Sequence, residues 1–338
     1  MFCRPAWGQA PARQAAHAAG LPWSVPCTTI NKMCGSAMEA TILAVNALQA
    51  GVARVVVAGG MESMSNAPYL LDRARSGYRL GHGTVSDHMF LDGLEDAYDR
   101  GRLMGTFAED TAQAYGFDRA QQDAWAVRSL TRAQAAQAAD AFAPEIVAVS
   151  VPAKGGAVSV SQDEMPAKAD PARIPTLKPA FRADGTVTAA NSSSISDGAA
   201  ALLLTRASVA QAEGWPIQAI VHGHAAFAQE PQWFTTAPAG ACRRLLDRTG
   251  WTTNAVEAWE INEAFAVVTL AALRDLDLDP ERVNSLGGAC ALGHPIGASG
   301  VRIVVTLLNA LARQGTRRGV ASLCIGGGEA TALAVERV

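Results

Sequence analysis

The chain has 338 residues, 49% of them apolar and 17% charged, which is ample for a sizeable core and too long for one small domain. A net charge of −3 leaves no basic excess for nucleic acid or an anionic membrane to bind, and no apolar run reaches the ~18 residues of a spanning helix. Six cysteines (Cys3, Cys27, Cys34, Cys242, Cys290 and Cys324) at no regular spacing suit free thiols in a reducing cytoplasm rather than a disulfide framework.

Residues 1–38 carry Arg4, Arg13 and Lys32 and no acidic residue, yet the chain shows no cleavage-like break and keeps the same character beyond residue 38, so they read as part of the fold rather than a targeting segment. Over 36–50 the apolar Met38, Ile42, Val45 and Leu48 recur at helical spacing, and Gly51 supplies the stop. Residues 54–58 predict a short buried strand ending at Gly59-Gly-Met-Glu62. A long amphipathic helix is expected over 118–140, with Asp118 as N-cap. Residues 152–186 are rich in Pro, Lys, Asp and Gly with little periodicity and read as a long lid or binding loop. A seam falls at 213–216, in Glu-Gly-Trp-Pro. Beyond it the glycine-rich turn from Gly287 to Gly300 leads into a helix over 298–313, stopped by Gly315. A strand over 320–325 then ends at Gly326-Gly-Gly-Glu329, and a closing strand covers 329–335. Helix, strand and Gly-Gly-x-Glu thus occur twice in the same order, which suggests internal duplication, and strands alternating with helices favour an α/β fold.

Three side chains carry the chemistry. Cys34 stands where a helix begins, and helix N-terminal amides favour the reactive thiolate. A buried structural cysteine is the commoner role, but Gly35 and Ser36 keep the surroundings small enough for a bulky substrate. His294 is framed by Gly287, Gly288, Gly293, Gly297 and Gly300 and followed by Pro295, a rigid frame that leaves the imidazole open to a ligand on one side. A metal site shared with Cys290 is the rival; Gly293 and Pro295 break the helix such a pair requires, and no third ligand is near. Cys324 precedes three glycines, so the amide of Gly326 and its neighbours can face an oxyanion. Asn262, in Glu260-Ile-Asn-Glu-Ala-Phe-Ala266, can orient a water or donate a hydrogen bond; Glu263 beside it serves equally as a structural partner. Two thiols and an imidazole suffice to make and break a thioester while drawing a proton from carbon. Gly-x-Ser-x-Gly, Walker and Gly-x-Gly-x-x-Gly patterns are absent, which argues against serine hydrolases, P-loop NTPases and dinucleotide enzymes.

At these residues the chain resembles the thiolases, in particular their acetyl-CoA acetyltransferase branch. The likeness runs through Gly8-Gln-Ala-Pro-Ala-Arg-Gln14, Ala58-Gly-Gly-Met-Glu-Ser-Met64, Asn262-Glu-Ala-Phe-Ala266, Gly293-His-Pro-Ile-Gly297 and Cys324-Ile-Gly-Gly-Gly328. The resemblance implies two duplicated βαβαβαββ-type halves, packed as α/β/α/β/α layers, over 1–206 and 214–338, with an inserted CoA-binding loop domain at about 86–186. It makes Cys34 the acyl-accepting nucleophile, His294 its base, Cys324 the acid/base at the α-carbon, and Asn262 the holder of an oxyanion-hole water. The backbone amides of Cys34 and Gly326 become a second oxyanion hole. Met104, Phe181, Ala189, Ser193, Ala264 and Phe265 match the pantetheine tunnel, while Leu103 stands where short-chain biosynthetic members often carry His.

The implied activity is acetyl-CoA C-acetyltransferase, running in both directions by a ping-pong route through acyl-Cys34. The alternatives are a 3-ketoacyl-CoA thiolase of fatty-acid β-oxidation and a non-catalytic acyl-CoA or lipid carrier. Ketoacyl synthases share the fold but place a second His where Cys324 stands. The resemblance further implies acyl-CoA and coenzyme A as substrates, no cofactor or metal, a homotetramer in the cytoplasm, and no nucleic-acid or membrane partner. Relatives begin with about one further βαβ unit; without it an open sheet edge, poor solubility or weak activity is expected.

Overall fold

The structure, a computed structural model, describes residues 8–338, so Cys3 and Arg4 lie outside the described residues. In chain order the strands are β1 (Val55–Ser63), β2 (Tyr69–Leu71), β3 (Val85–Asp87), β4 (Val149–Ala153), β5 (Gly156–Val160), β6 (Asp197–Thr205), β7 (Ala219–Ala228), β8 (Ala258–Ile261), β9 (Arg318–Ile325) and β10 (Glu329–Arg337). β1 pairs antiparallel with β6, and a four-stranded sheet runs β7-β10-β9-β8, with β9 antiparallel to β10 and parallel to β8. β2–β3 and β4–β5 form separate antiparallel pairs.

Two helices, Ser36–Gln49 and Ser299–Gln314, pack on each other and contact both β1–β6 and the four-stranded sheet, making a central helical layer. Their facing apolar stripes hold Met38, Ile42, Ile303, Leu307 and Leu311 against Leu323 and Leu333. Burying each such side chain contributes about 2 kcal/mol relative to exposure. The helices Ala237–Thr249 and Ala266–Leu276 cover the other face of the four-stranded sheet. The repeat read in the sequence is present in space: Ser36–Gln49 leads into β1, paired with β6, as Ser299–Gln314 leads into β9, paired with β10. No helix among the described residues is long and apolar enough to cross a membrane.

Asp118 caps the helix Arg119–Ala138 as expected; it accepts from the Gln121 amide at 2.8 Å and donates its own amide to Gln121 Oε1 at 3.0 Å. Two other expectations need correction. The strand over 54–58 runs on to Ser63 and is not buried, because its only paired neighbour among the described residues is β6 and alternate side chains such as Val57 face outward. Its glycines permit close approach rather than a turn: a Cβ on Gly60 would lie 2.0 Å from the Gly297 carbonyl oxygen. The stretch 152–186 is not one irregular loop. It contains most of the β4–β5 hairpin, turning through Lys154 and Gly155, a short helix Glu164–Lys168 and a 3₁₀ segment Pro171–Thr176. Pro152 obscured the hairpin; it sits in an exposed two-stranded pair, where proline is tolerated.

Candidate active site

Cys34 lies in a 3₁₀ turn, Met33–Gly35, immediately before the Ser36–Gln49 helix. Met33 takes a left-handed φ of 45°, and Ser36 pins the turn by accepting from the Lys32 amide at 2.9 Å and donating to the Met33 carbonyl at 2.7 Å. Lys32 also pairs with Glu329, tying the Cys34 turn to the start of β10, beyond Cys324. Part of Cys34 stays accessible, yet burial pushes its thiol up to about 11, against the opposing hydrogen bonds from the amides of Gly326 and of Cys34 itself. The expectation of a thiolate favoured by the helix N-terminus therefore fails in the free protein, because desolvation outweighs the amides. Those same two amides converge on the Cys34 sulfur.

Cys324 is buried near the end of β9. Burial raises its pKa well above the usual thiol value, and the neighbouring Cys34 raises it further, so the two sulfurs share one site. Asn262 follows β8, and its amide N–H bonds the Ser322 carbonyl at 3.0 Å, two residues before Cys324.

His294 is buried rather than open, 6% exposed, because its loop packs under β1 and onto the helix at Cys34. Cβ atoms added at Gly60 and Gly300 would strike the Gly297 carbonyl and the Met38 amide, so glycine at both positions permits that contact. The buried carboxylate of Glu62, on β1, holds the loop by accepting from the Gly297 amide at 2.9 Å. Burial, with a smaller contribution from Arg302, pushes His294 down to about 3, so the imidazole is neutral. Its Nδ1 lies 2.6 Å from Ser299 Oγ, which donates onward to the Pro295 carbonyl at 3.0 Å. With the serine hydrogen directed to Pro295, Oγ is set to accept from Nδ1, the tautomer that leaves the lone pair on Nε2. Nε2 is buried with no hydrogen-bond partner, the state of a base awaiting its proton.

Of the tunnel residues, Met104 approaches Gly326, and Phe181 packs on Gly105 and meets Phe265 edge to face at 6.0 Å. Ser193 bonds the Ala264 carbonyl through its amide and its hydroxyl, at 3.0 and 3.1 Å. Met104, Phe181, Ala264, Phe265 and Cys324 belong to one apolar cluster beside the thiols. Ala189 is exposed, outside that cluster.

The sequence left Glu263 open between chemistry and structure. It is a buried hub accepting from Trp125, Ser129, Asn284 and the Cys290 amide, at 2.7 to 3.0 Å, so its role is structural. Among the described residues no group of three or more His, Cys, Asp or Glu is placed to hold a metal ion. Sequence reasoning missed Ser299, whose partners His294 and Pro295 lie just before it in the chain, and Arg302, whose partners Asn262 and Glu260 come from tertiary contact. It also missed the apolar residues Met33, Met64, Met89, Leu94 and Ile296, which cluster at Cys34.

Residues 3–208 match Thiolase, N-terminal domain, and residues 215–337 match Thiolase, C-terminal domain. The chain is 51% identical to acetyl-CoA acetyltransferase 1 of Arabidopsis thaliana, over 97% of this chain and 80% of that protein. It is 47% identical to acetyl-CoA acetyltransferase of Pseudomonas aeruginosa, over 98% and 84%. Among solved structures, the Acat5 thiolase from Ascaris suum in complex with coenzyme A matches with a TM-score of 0.93 at 44% identity, covering 99% of this chain and 85% of that one. The Bacillus anthracis acetyl-CoA acetyltransferase matches with a TM-score of 0.96 at 40% identity and the same coverage. With both domains matched in order and the fold shared almost end to end, the chain belongs to the thiolase family.

Proposed function

We propose that the protein is an acetyl-CoA C-acetyltransferase, condensing two acetyl-CoA to acetoacetyl-CoA and free coenzyme A and catalysing the reverse thiolysis. The observations that support this reading are the Cys34–Cys324 pair beside the Gly326 amide and a buried, neutral His294 in contact with Asn262. The relatives named acetyl-CoA acetyltransferase support acetyl over longer chains.

In the first half-reaction Cys34 Sγ attacks the thioester carbonyl while His294 Nε2 takes the thiol proton. Burial keeps both the Cys34 thiol and the His294 imidazole neutral, so proton removal and attack are written as one step. The C–S bond to coenzyme A breaks, its sulfur takes the proton of Cys324, and acetyl-Cys34 remains with Cys324 as thiolate and His294 holding the Cys34 proton. In the second half-reaction the Cys324 thiolate removes a proton from the methyl carbon of another acetyl-CoA. The resulting enolate carbon attacks acetyl-Cys34, forming the new C–C bond, and Cys34 leaves and regains its proton from His294. The Cys34 and Gly326 amides stabilise oxygen charge on the acyl-enzyme, and the Asn262 amide, through a water, that on the incoming thioester. Met104, Phe181, Ala189, Ser193, Ala264 and Phe265 line the approach of the pantetheine arm, within halves dividing at 206–214. The free thiols suit the reducing cytoplasm, and the family resemblance supports a homotetramer.

Loss of enolate absorbance from acetoacetyl-CoA on adding coenzyme A tests the reading. Turnover by the wild-type chain and none by Cys34→Ala is expected; equal rates in both would refute it.

A further inference from the structure

The side chain of Asn262 ends in one acceptor and one donor group, and which of them faces the thiols depends on what stands behind it. Behind it stands Arg302, from the first turn of the Ser299–Gln314 helix, with Nη2 3.5 Å from Asn262 Oδ1. A guanidinium has only donors, so it accepts no other orientation: Oδ1 must face Arg302 and Nδ2 must face away. On that far side Nδ2 lies 3.4 Å from His294 Nδ1, a long contact that leaves an amide hydrogen for a ligand. The 3.5 Å contact is at the outer limit of a hydrogen bond, as such contacts often are before substrate binds.

The neighbours leave Arg302 free to act. Glu260, on β8 and 1% exposed, sits 3.7 Å from Nη1 without a hydrogen bond, and both Arg302 Nη1 and Glu260 Oε1 are buried without partners. Burial pushes Glu260 up to about 8, so at neutral pH it is an acid that does not neutralise the guanidinium. Glu145, bonded by Thr306 and Asn309, and Asp163 also face Arg302, and burial raises both carboxyls. Glu263 and Arg132 face Glu260 from the opposite side.

We propose that Arg302 is a positioning residue for the thiolase reaction. It holds Asn262 with Oδ1 turned away from the thiols, so that an N–H rather than a carbonyl oxygen is presented to the developing oxyanion or its bound water. This inference rests on the proposed roles of Cys34, His294 and Asn262. A flipped amide would place an acceptor where negative charge builds and oppose the reaction it now assists.

The test is steady-state thiolysis of acetoacetyl-CoA by the full chain carrying Arg302→Met, Asn262→Ala or both, with thermal unfolding of each. Arg302→Met is expected to lower kcat about 10²-fold with KM changed less than about threefold, because misorientation costs the transition state more than ground-state binding. The acid limb of its kcat/KM profile should move to higher pH, since a cation opposing protonation of His294 is gone. In the Asn262→Ala background the same substitution should cost no more than about twofold, because the group it positions is absent. Additive losses, or a folded Arg302→Met with wild-type kcat and acid limb, would overturn the proposal. Should Arg302→Met fail to fold, Arg302→Lys decides: a kcat loss of about tenfold that vanishes with Asn262→Ala supports it, and an unchanged kcat overturns it. A wild-type chain without activity, or an active Cys34→Ala, would instead indict the thiolase reading itself.

Discussion

Ser299 bridges His294 and Pro295: its Oγ is 2.6 Å from Nδ1 and donates to the Pro295 carbonyl at 3.0 Å, an arrangement that favours the hydrogen on Nδ1 and the lone pair on Nε2. Ser299→Ala removes the acceptor, so the ring can shift its hydrogen to Nε2 and lose its capacity as a base. The expected result is a fall in kcat of about 10²-fold with the fold retained. Steady-state thiolysis and the unfolding midpoint check this; wild-type kcat in a folded Ser299→Ala would contradict it.

Cys34 should be a slow thiol at neutral pH. Because burial pushes it up to about 11 from an ordinary 9.0, its alkylation by iodoacetamide should climb steadily from pH 7 without levelling before about 11. Peptide mapping of Cys34 across pH measures this, and a plateau below pH 9 would show a thiolate stabilised after all.

Linkage ties the same burial to stability. Cys34 at about 11 and Cys242 at about 12 both lie above their unfolded value of 9.0, so their contribution is complete below pH 9 and lost as pH rises through 11 and 12. The urea midpoint is expected to fall above pH 9; a midpoint level up to pH 11 would contradict it.

Glu260 gives an opposed pair with His294. A folded value near 8 against 4.5 means its contribution is present below pH 4.5 and lost as pH rises through 8. For His294, pushed down to about 3 from 6.5, the contribution is present above 6.5 and lost as pH falls through 3. Glu260→Gln cannot ionise, so its stability relative to wild type should grow as pH rises through the window from 4.5 to about 8 over which the Glu260 contribution is lost. Chemical denaturation at both ends of that range tests this, and a difference that does not change with pH would refute it.

Gly60 tolerates no side chain, since a Cβ would lie 2.0 Å from the Gly297 carbonyl oxygen and 2.6 Å from Ala37 Cβ. Gly60→Ala must push the His294 loop off the Cys34 helix, at a cost of about 3 kcal/mol, and should lower activity together with the unfolding midpoint. An unchanged midpoint would show that β1 and the loop can separate without loss.

Much of the molecule was legible in the chain because local rules and tertiary demands agree. The helix over 36–50, the capped helix after Asp118 and the Gly-Gly-x-Glu repeat announce themselves through periodicity, capping and glycine placement. Cys34, His294, Cys324 and Asn262 stood out through small-residue surroundings and through resemblance; the fold sets Cys34 near Cys324 and Asn262 near His294. Long-range packing stayed hidden. The glycines of β1 read as a strand end because their reasons, contact of Gly59 with β6 and of Gly60 with the Gly297 loop more than 200 residues away, have no local signature. Arg302 read as an ordinary helix residue because its partners, Asn262 and Glu260, are set by how that helix lies against β8, and Ser299 because its bond to His294 depends on the fold of the turn between them. Glu263 could be assigned only once its four donors, from three different segments, were in place.

The whole reaction scheme depends on Cys34 carrying the acyl group. Intact-protein mass spectrometry after acid quench of the protein with acetyl-CoA, followed by peptide mapping, reads this out. One acetyl group is expected, on Cys34, that disappears on adding coenzyme A and never forms in Cys34→Ala. An unmodified protein, or an acetyl group mapped to Cys324 instead, would be incompatible with a ping-pong route through acyl-Cys34.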